Sequence, residues 1–198
     1  MTELLQLDQE LFFVINNDWH NSILDAIMPH WRNKYSWIPL YVVLAIYVVY
    51  QFKQKGVYLI LFLAVTVGIA DTTSSQLIKK NVQRIRPCND IQLQSEVKLL
   101  VHCGGGYSFT SSHATNHFAV ASFLVFTLGL FPWRKWRWLL WLWAASIAFG
   151  QVYVGVHYPL DILCGGLIGA LIGWLMARLY LSRSFFFPNQ WQVHPASV

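Results

Sequence analysis

Charge is what this chain lacks. Only 12% of its residues are Asp, Glu, Lys or Arg, about half the share of an ordinary soluble domain, while 56% are hydrophobic. The shortage is concentrated. Residues 36–52, 57–70, 113–131, 138–156 and 162–177 contain no charged side chain. A helix of about 20 apolar residues crosses a bilayer. The fold expected is therefore all-α, a polytopic membrane helical bundle of about five transmembrane helices. A soluble five-helix core, the alternative, fits poorly, because such helices need polar outer faces. Internal repeats, low-complexity tracts and long linkers are also missing, so residues 1–198 are expected to form one domain. A basic n-region is missing too. The start, "MTELLQLDQELFF", carries acids, so no cleavable signal peptide is expected.

Within residues 1–33, Leu4, Leu7, Leu11 and Ile15 recur at helical spacing, with Asp8, Gln9 and Glu10 between them. This pattern reads as an interfacial amphipathic helix, the alternative being a disordered tail. Five spans put the N-terminus, residues 71–112 and residues 151–160 on one side. That side carries Arg32, Lys34, Lys79, Lys80, Arg84, Arg86 and Lys98. The other side carries as many cations: Lys53, Lys55, Arg134, Lys135, Arg137, Arg178 and Arg183. Those sit in very short loops, where the positive-inside rule weighs most, and no acid accompanies them. That side, including the tail 183–198, is expected in the cytoplasm, with the loop 88–109 extracytoplasmic. Cys88 and Cys103 share that outward loop, either as a disulfide or as two free thiols. Cys164 falls within a helix and reads as packing.

The polar residues a bilayer protein should avoid all fall on the outward side. Helix two ends "GIADTTSSQLIKKNVQRIRP", where Asp71, Ser75 and Lys79 recur four apart and Arg86-Pro87 follows. Lys79 alone reads as a snorkelling anchor. With Lys80, Arg84 and Arg86 it suggests an anionic partner, whether a lipid headgroup or a substrate. The outward loop ends "GGGYSFTSSHATNHF". Thr110, Ser111 and Ser112 are good N-cap residues, and a helix start offers free N–H groups and a positive dipole end to an anion. His113 sits in that first turn. In "GQVYVGVHYPLDIL", Pro159 suits a helix start and Asp161 follows His157 by four residues. A carboxylate there can hold one imidazole nitrogen and leave the other free to attack.

These stretches resemble the type 2 phosphatidic acid phosphatases, the membrane branch of the superfamily that includes vanadate haloperoxidases. Lys79, six residues, Arg86-Pro87 matches the family's first motif. "TSSH" at 110–113 resembles the second, usually Pro-Ser-Gly-His, with Thr110 for the proline and Ser112 for the glycine. "GQVYVGVHYPLD" at 150–161 resembles the third, usually Ser-Arg, five residues, His, three residues, Asp. The resemblance spans roughly residues 8–177. It implies a metal-free and cofactor-free lipid phosphatase. In that scheme His157 is the nucleophile and forms a phosphohistidine, and Asp161 holds its tautomer. His113 protonates the leaving group and then activates water. Lys79, Arg86, Ser111 and the backbone near Ser112 bind the phosphoryl oxygens. The serine at 112 fits only if that residue is not left-handed.

Gln151 stands where the family's third-motif arginine, a phosphate ligand, would be. A glutamine keeps a donor but loses the charge and the fork, a penalty of about 1–2 kcal/mol. Lys80 or Arg84 is expected to supply the missing charge, and Gln151→Arg to keep or raise activity. A plain helix–helix hydrogen bond is the alternative role for Gln151. Gly165, Gly169 and Gly173 permit close helix packing. The expected partners are membrane lipids and a lipid phosphate substrate, with no nucleic acid. Undecaprenyl pyrophosphate is slightly favoured over phosphatidylglycerol phosphate, phosphatidic acid or lipid A phosphates, because no large soluble insertion exists to select a bulky headgroup. A phosphotransferase using the same site and a non-catalytic lipid-binding protein are the competing functions. The expected location is the inner membrane, with the site facing the periplasm or outside.

Overall fold

The computed structural model describes residues 2–127 and 135–184. Position 134, the side chain of Arg183 and the tail beyond residue 184 lie outside the described residues. The described chain is all-helical. Helix α1 (Thr2–Phe13) runs into a π-turn, Val14–Asp18, and α2 (Ser22–Trp31) follows. The Asn21 side chain caps α2 by accepting from the Leu24 N–H at 2.9 Å. A 3-10 turn, Lys34–Trp37, leads into α3 (Ile38–Phe52). The chain reverses at Lys53 into α4 (Gln54–Thr72), then a second π-turn (Thr73–Ile78) and α5 (Lys79–Val82), all one continuous rod. An irregular segment, 83–111, precedes α6 (Ser112–Thr127), α7 (Leu139–Tyr153) and α8 (Pro159–Ser184).

Among the described residues three helices are long and apolar enough to cross a membrane: Lys34–Phe52, Gln54–Val82 and Pro159–Ser182. The sequence suggested five. The other two are α6, of which 16 residues are described, and α7, with 15. Fifteen residues rise about 22 Å, less than a hydrocarbon core of about 30 Å. Freedom from charge does not guarantee an apolar helix of membrane length. In α6 the first turns spend their positions on Ser112, His113, Thr115, Asn116 and His117.

Helix α6 is the hub. Ala114, Thr115, Ala119, Ala121, Ser122 and Phe123 on it are fully buried. It packs closely against α8, as the glycine spacing led one to expect. A Cβ on Gly169 would lie 2.1 Å from the Thr115 carbonyl oxygen, and one on Gly173 2.2 Å from that of Ala119. By contrast α3 turns Val43, Ile46 and Tyr50 outward and buries none of its residues. In α1 the stripe Leu4, Leu7 and Leu11 is likewise exposed. Its other face is not wholly solvated. Asp8 and Phe12 are buried, and Phe12 packs with Val152 and Tyr158. This helix therefore has one side free for apolar surroundings and one side plugged into the protein.

Candidate active site

The turn between α7 and α8 carries His157. Gly155 makes that turn at φ +88°, where a Cβ would come within 2.8 Å of Val97 Cγ1. Only glycine takes such a backbone cheaply. The His157 side chain is almost fully buried. Its Nε2 lies 3.1 Å from Arg86 Nη1, and its Nδ1 lies 3.3 Å from Asp161 Oδ2. A guanidinium only donates. Nε2 is therefore the acceptor, and the ring proton sits on Nδ1 facing Asp161. Burial pushes the imidazole down to about 4, against the pull of Asp161, so the free ring is neutral at pH 7.

Asp161 is immobilised from every side. Its Oδ2 accepts from the Tyr158 N–H at 2.9 Å and from the Ser108 hydroxyl. Its Oδ1 accepts from Arg84 Nη1 at 2.9 Å. Arg84 Nη2 reaches Asp8 Oδ2 at 2.6 Å, and Asp8 Oδ1 accepts from the Leu160 N–H at 2.7 Å. The guanidinium also lies 3.9 Å from the centre of the Tyr158 ring. Arg84 is thus committed to two carboxylates. The sequence offered it as a substitute phosphate ligand; the structure gives it this bracing role instead.

Lys79 and Arg86 are drawn to the same place by the backbone of the segment 83–111 and the turn before α8. Lys79 Nζ donates to the carbonyls of Tyr107 at 2.7 Å and Ser108 at 3.1 Å. Arg86 Nε donates to the Gly106 carbonyl at 2.8 Å, and its Nη1 to that of Val156 at 3.1 Å. Burial lowers the Arg86 pKa. A π-turn precedes Lys79 and carries an extra residue per turn. Asp71 is among the charges felt at Lys79. It accepts from Asn116 Nδ2 at 2.9 Å.

The second motif starts α6. The Ser111 N–H donates to the Asp161 carbonyl at 3.0 Å, which ties the starts of α6 and α8 together. Ser111 Oγ accepts from the Ala114 N–H at 3.4 Å, an N-cap. Ser112 is helical, and among the described residues the only non-glycine positions with positive φ are Lys53 and Gln83, so its conformational condition is met. Ser74, from the π-turn, meets Thr110 Oγ1 at 3.1 Å and Ser112 Oγ at 2.9 Å. The two departures from the usual second motif thus share one hydroxyl partner. His113 makes no hydrogen bond to His157. The charges felt most strongly at it are those of Arg32, His117 and His157.

Gln151 is fully buried and does not point a free donor at the site. Its Oε1 accepts from Arg32 Nε at 2.9 Å, and its amide nitrogen lies 3.5 Å from the Ile147 carbonyl. Burial, then Arg86, lowers Arg32 to about 10. Lys80, the other expected substitute, has no recorded bond to any site residue. Sequence reasoning therefore missed Arg32, Ser74, Ser108 and the bracing by Asp8 and Arg84. Arg32 did carry one signal, its place among the cations of the outward side. Among the described residues no three His, Cys, Asp or Glu side chains converge as metal ligands. In the segment 83–111 Cys88 and Cys103 form a disulfide.

Residues 55–185 match the sequence profile of the PAP2 superfamily. The chain is 31% identical to a lipid A 4'-phosphatase of Bacteroides thetaiotaomicron, over 87% of this chain and 76% of that protein. It is 28% identical to an undecaprenyl-diphosphatase of Sulfolobus acidocaldarius, over 86% of this chain and 77% of that one. The crystal structure of Aquifex aeolicus LpxE superposes with a TM-score of 0.68 at 27% identity, covering 87% of this chain and 95% of that chain.

Proposed function

Because the chain belongs to the PAP2 superfamily and is a membrane lipid phosphate phosphatase of that family, we propose that it works without a metal, through a phosphohistidine on His157. The observation that carries this reading is the orientation of the His157 ring. Its Nε2 faces Arg86 and its Nδ1 faces Asp161. A phosphoryl group drawn to Arg86 and Lys79 meets the Nε2 lone pair. Nε2 attacks phosphorus, the P–O bond to the lipid breaks, and His113 gives its proton to the departing alkoxide. His113 then takes a proton from water, and the water oxygen displaces Nε2 to release inorganic phosphate. Asp161 keeps the Nδ1 proton facing it throughout, and α6's first turn and Ser111 complete the anion shell.

The substrate favoured is a saccharolipid phosphomonoester of the lipid A 4'-phosphate kind, on the strength of the Bacteroides relative. That shifts the weight that the sequence alone gave to undecaprenyl diphosphate, which the Sulfolobus relative supports as the second reading. The helices α3, α4–α5, α6, α7 and α8 are read as five crossings. Support comes from the packing of α6 along α8, itself a candidate span. The site then opens on the outer face of the cytoplasmic membrane, with the Lys53 and Lys55 turn inside.

The test is phosphate release by detergent-purified protein in EDTA. The panel is 4'-phosphorylated lipid A, undecaprenyl diphosphate, phosphatidylglycerol phosphate and phosphatidic acid, with His157→Ala as control. Release that EDTA leaves intact and His157→Ala abolishes supports the mechanism, and the fastest lipid names the substrate. Dependence on added metal, or full activity in His157→Ala, overturns it. Phosphate appearing on an added hydroxyl acceptor rather than in solution would make the protein a phosphotransferase.

A further inference from the structure

We propose that Arg32 is a phosphate-binding residue of this chain, and that Gln151 is the positioning residue that holds it at the site. The proposal rests on the lipid phosphatase reading above and extends the anion shell of that site. Three observations carry it. The first is the seat. Trp31 Nε1 donates to Ser146 Oγ at 2.9 Å, and Gly150 leaves room for α2, since a Cβ there would lie 3.4 Å from Arg32 Cβ. With the Gln151 bond, three positions of one α7 segment fasten the last turn of α2.

The second observation is the free end of the guanidinium. Only Nε is used, on Gln151 Oε1. Among the described residues no partner is recorded for the two terminal nitrogens, and they are not among the sealed-off polar atoms. The third is electrostatic. Arg86 acts on Arg32 as a like charge, and Arg32 is the strongest charge felt at His113. Seating α2 on α7 would need only a neutral donor. Bringing a second guanidinium towards Arg86 with no carboxylate on it is a cost, unless an anion sits between them.

The glutamine then has a reason. At 151 an arginine would confront Arg32 with a second cation, whereas glutamine offers an oxygen that accepts. The charge has moved from α7 to the end of α2, and the neutral side chain left behind holds it. Gln151→Arg alone is accordingly expected to lower activity, which reverses the expectation from the sequence.

The experiment compares wild type, Arg32→Gln, Gln151→Arg and the double variant R32Q/Q151R. Dioctanoyl phosphatidic acid is the probe and inorganic phosphate the competing anion. Glutamine at 32 keeps a donor for Gln151 and so keeps the seat. R32Q is expected to melt with wild type yet lose about 10- to 100-fold in kcat/KM, the cost of one charge-assisted contact. Its inhibition constant for inorganic phosphate should rise in step. The double variant, with the arginine back on α7, should recover most of the loss. Activity of R32Q within about twofold of wild type, a difference too small for such a contact, would overturn the proposal. So would a double variant as poor as R32Q, or an unchanged phosphate inhibition constant. If instead wild type releases no phosphate, or His157→Ala stays active, the underlying phosphatase reading has failed and not the placement of Arg32.

Discussion

Asp8 lies 153 positions before Asp161, yet the structure makes it part of the active-site frame. Its side chain is 1% exposed and that of Arg84 18%. Burial, the largest influence, raises the Asp8 carboxyl above its ordinary value, and the bonds from Leu160 and Arg84 pull it back. The carboxylate therefore adds little net stability of its own; its removal harms by stranding partners. Asp8→Ala leaves the Leu160 N–H without an acceptor and Arg84 Nη2 without its carboxylate. Breaking a buried pair costs about 3–5 kcal/mol. Arg84 keeps Asp161, so the lower part of that range, about 3–4 kcal/mol, applies here. For a domain of this size that is a fall in Tm of about 6–16 °C. Asp8→Asn retains an oxygen for Leu160 and should cost about half as much. With 10 Trp in the chain, intrinsic fluorescence in detergent follows the melt. Asp8→Ala should also lower kcat, because Arg84 would then be free to swing Asp161. A melt of Asp8→Ala indistinguishable from wild type would refute the reasoning, as would Asp8→Asn and Asp8→Ala falling equally.

Further expectations concern the nucleophile and the helix packing. The low pKa of His157 keeps the free ring competent from pH 7 down to about 4, so the acid limb of kcat/KM should lie well below the ordinary histidine value of about 6.5. An acid inflection at the ordinary value would show that the ring is solvated. Gly169→Ala forces a methyl onto the Thr115 carbonyl. It should cost about 1–3 kcal/mol of stability in the same melting assay, with activity falling as α6 and α8 separate. An unchanged melting temperature would contradict the α6–α8 contact.

What could be read from the sequence was what its motifs and uncharged runs encode locally. Lys79, Arg86, Ser111, Ser112, His113, His157 and Asp161 all come to one end of the bundle, because spacing within a motif fixes position along a helix or turn. The missing parts are long-range pairings. Arg32 meets Gln151 across 119 positions, and Asp8 meets Arg84 across 76. No periodicity within one segment says which distant side chain will lie opposite. Sequence proximity points to the neighbours of Arg86 for a substitute third-motif arginine, but Arg84 is held by Asp8 and Asp161. Ser74 was hidden for a related reason. A π-turn shifts the face of every residue beyond it, and no residue in "DTTSSQLIKK" announces that turn. The span count differs for another reason. A run free of charge need not be apolar throughout, and α6 opens with hydrogen-bonding side chains, Ser112, His113, Thr115 and Asn116.

The central claim is that His157 carries the phosphoryl group between lipid and water. Rapid quench during turnover into alkali, where a phosphohistidine survives, followed by mass spectrometry of the peptide containing residues 150–161, tests it directly. The account expects one phosphoryl group on His157, building up further when His113→Ala slows its hydrolysis. Phosphate on any other residue, or a turning-over enzyme with none on His157, would contradict it.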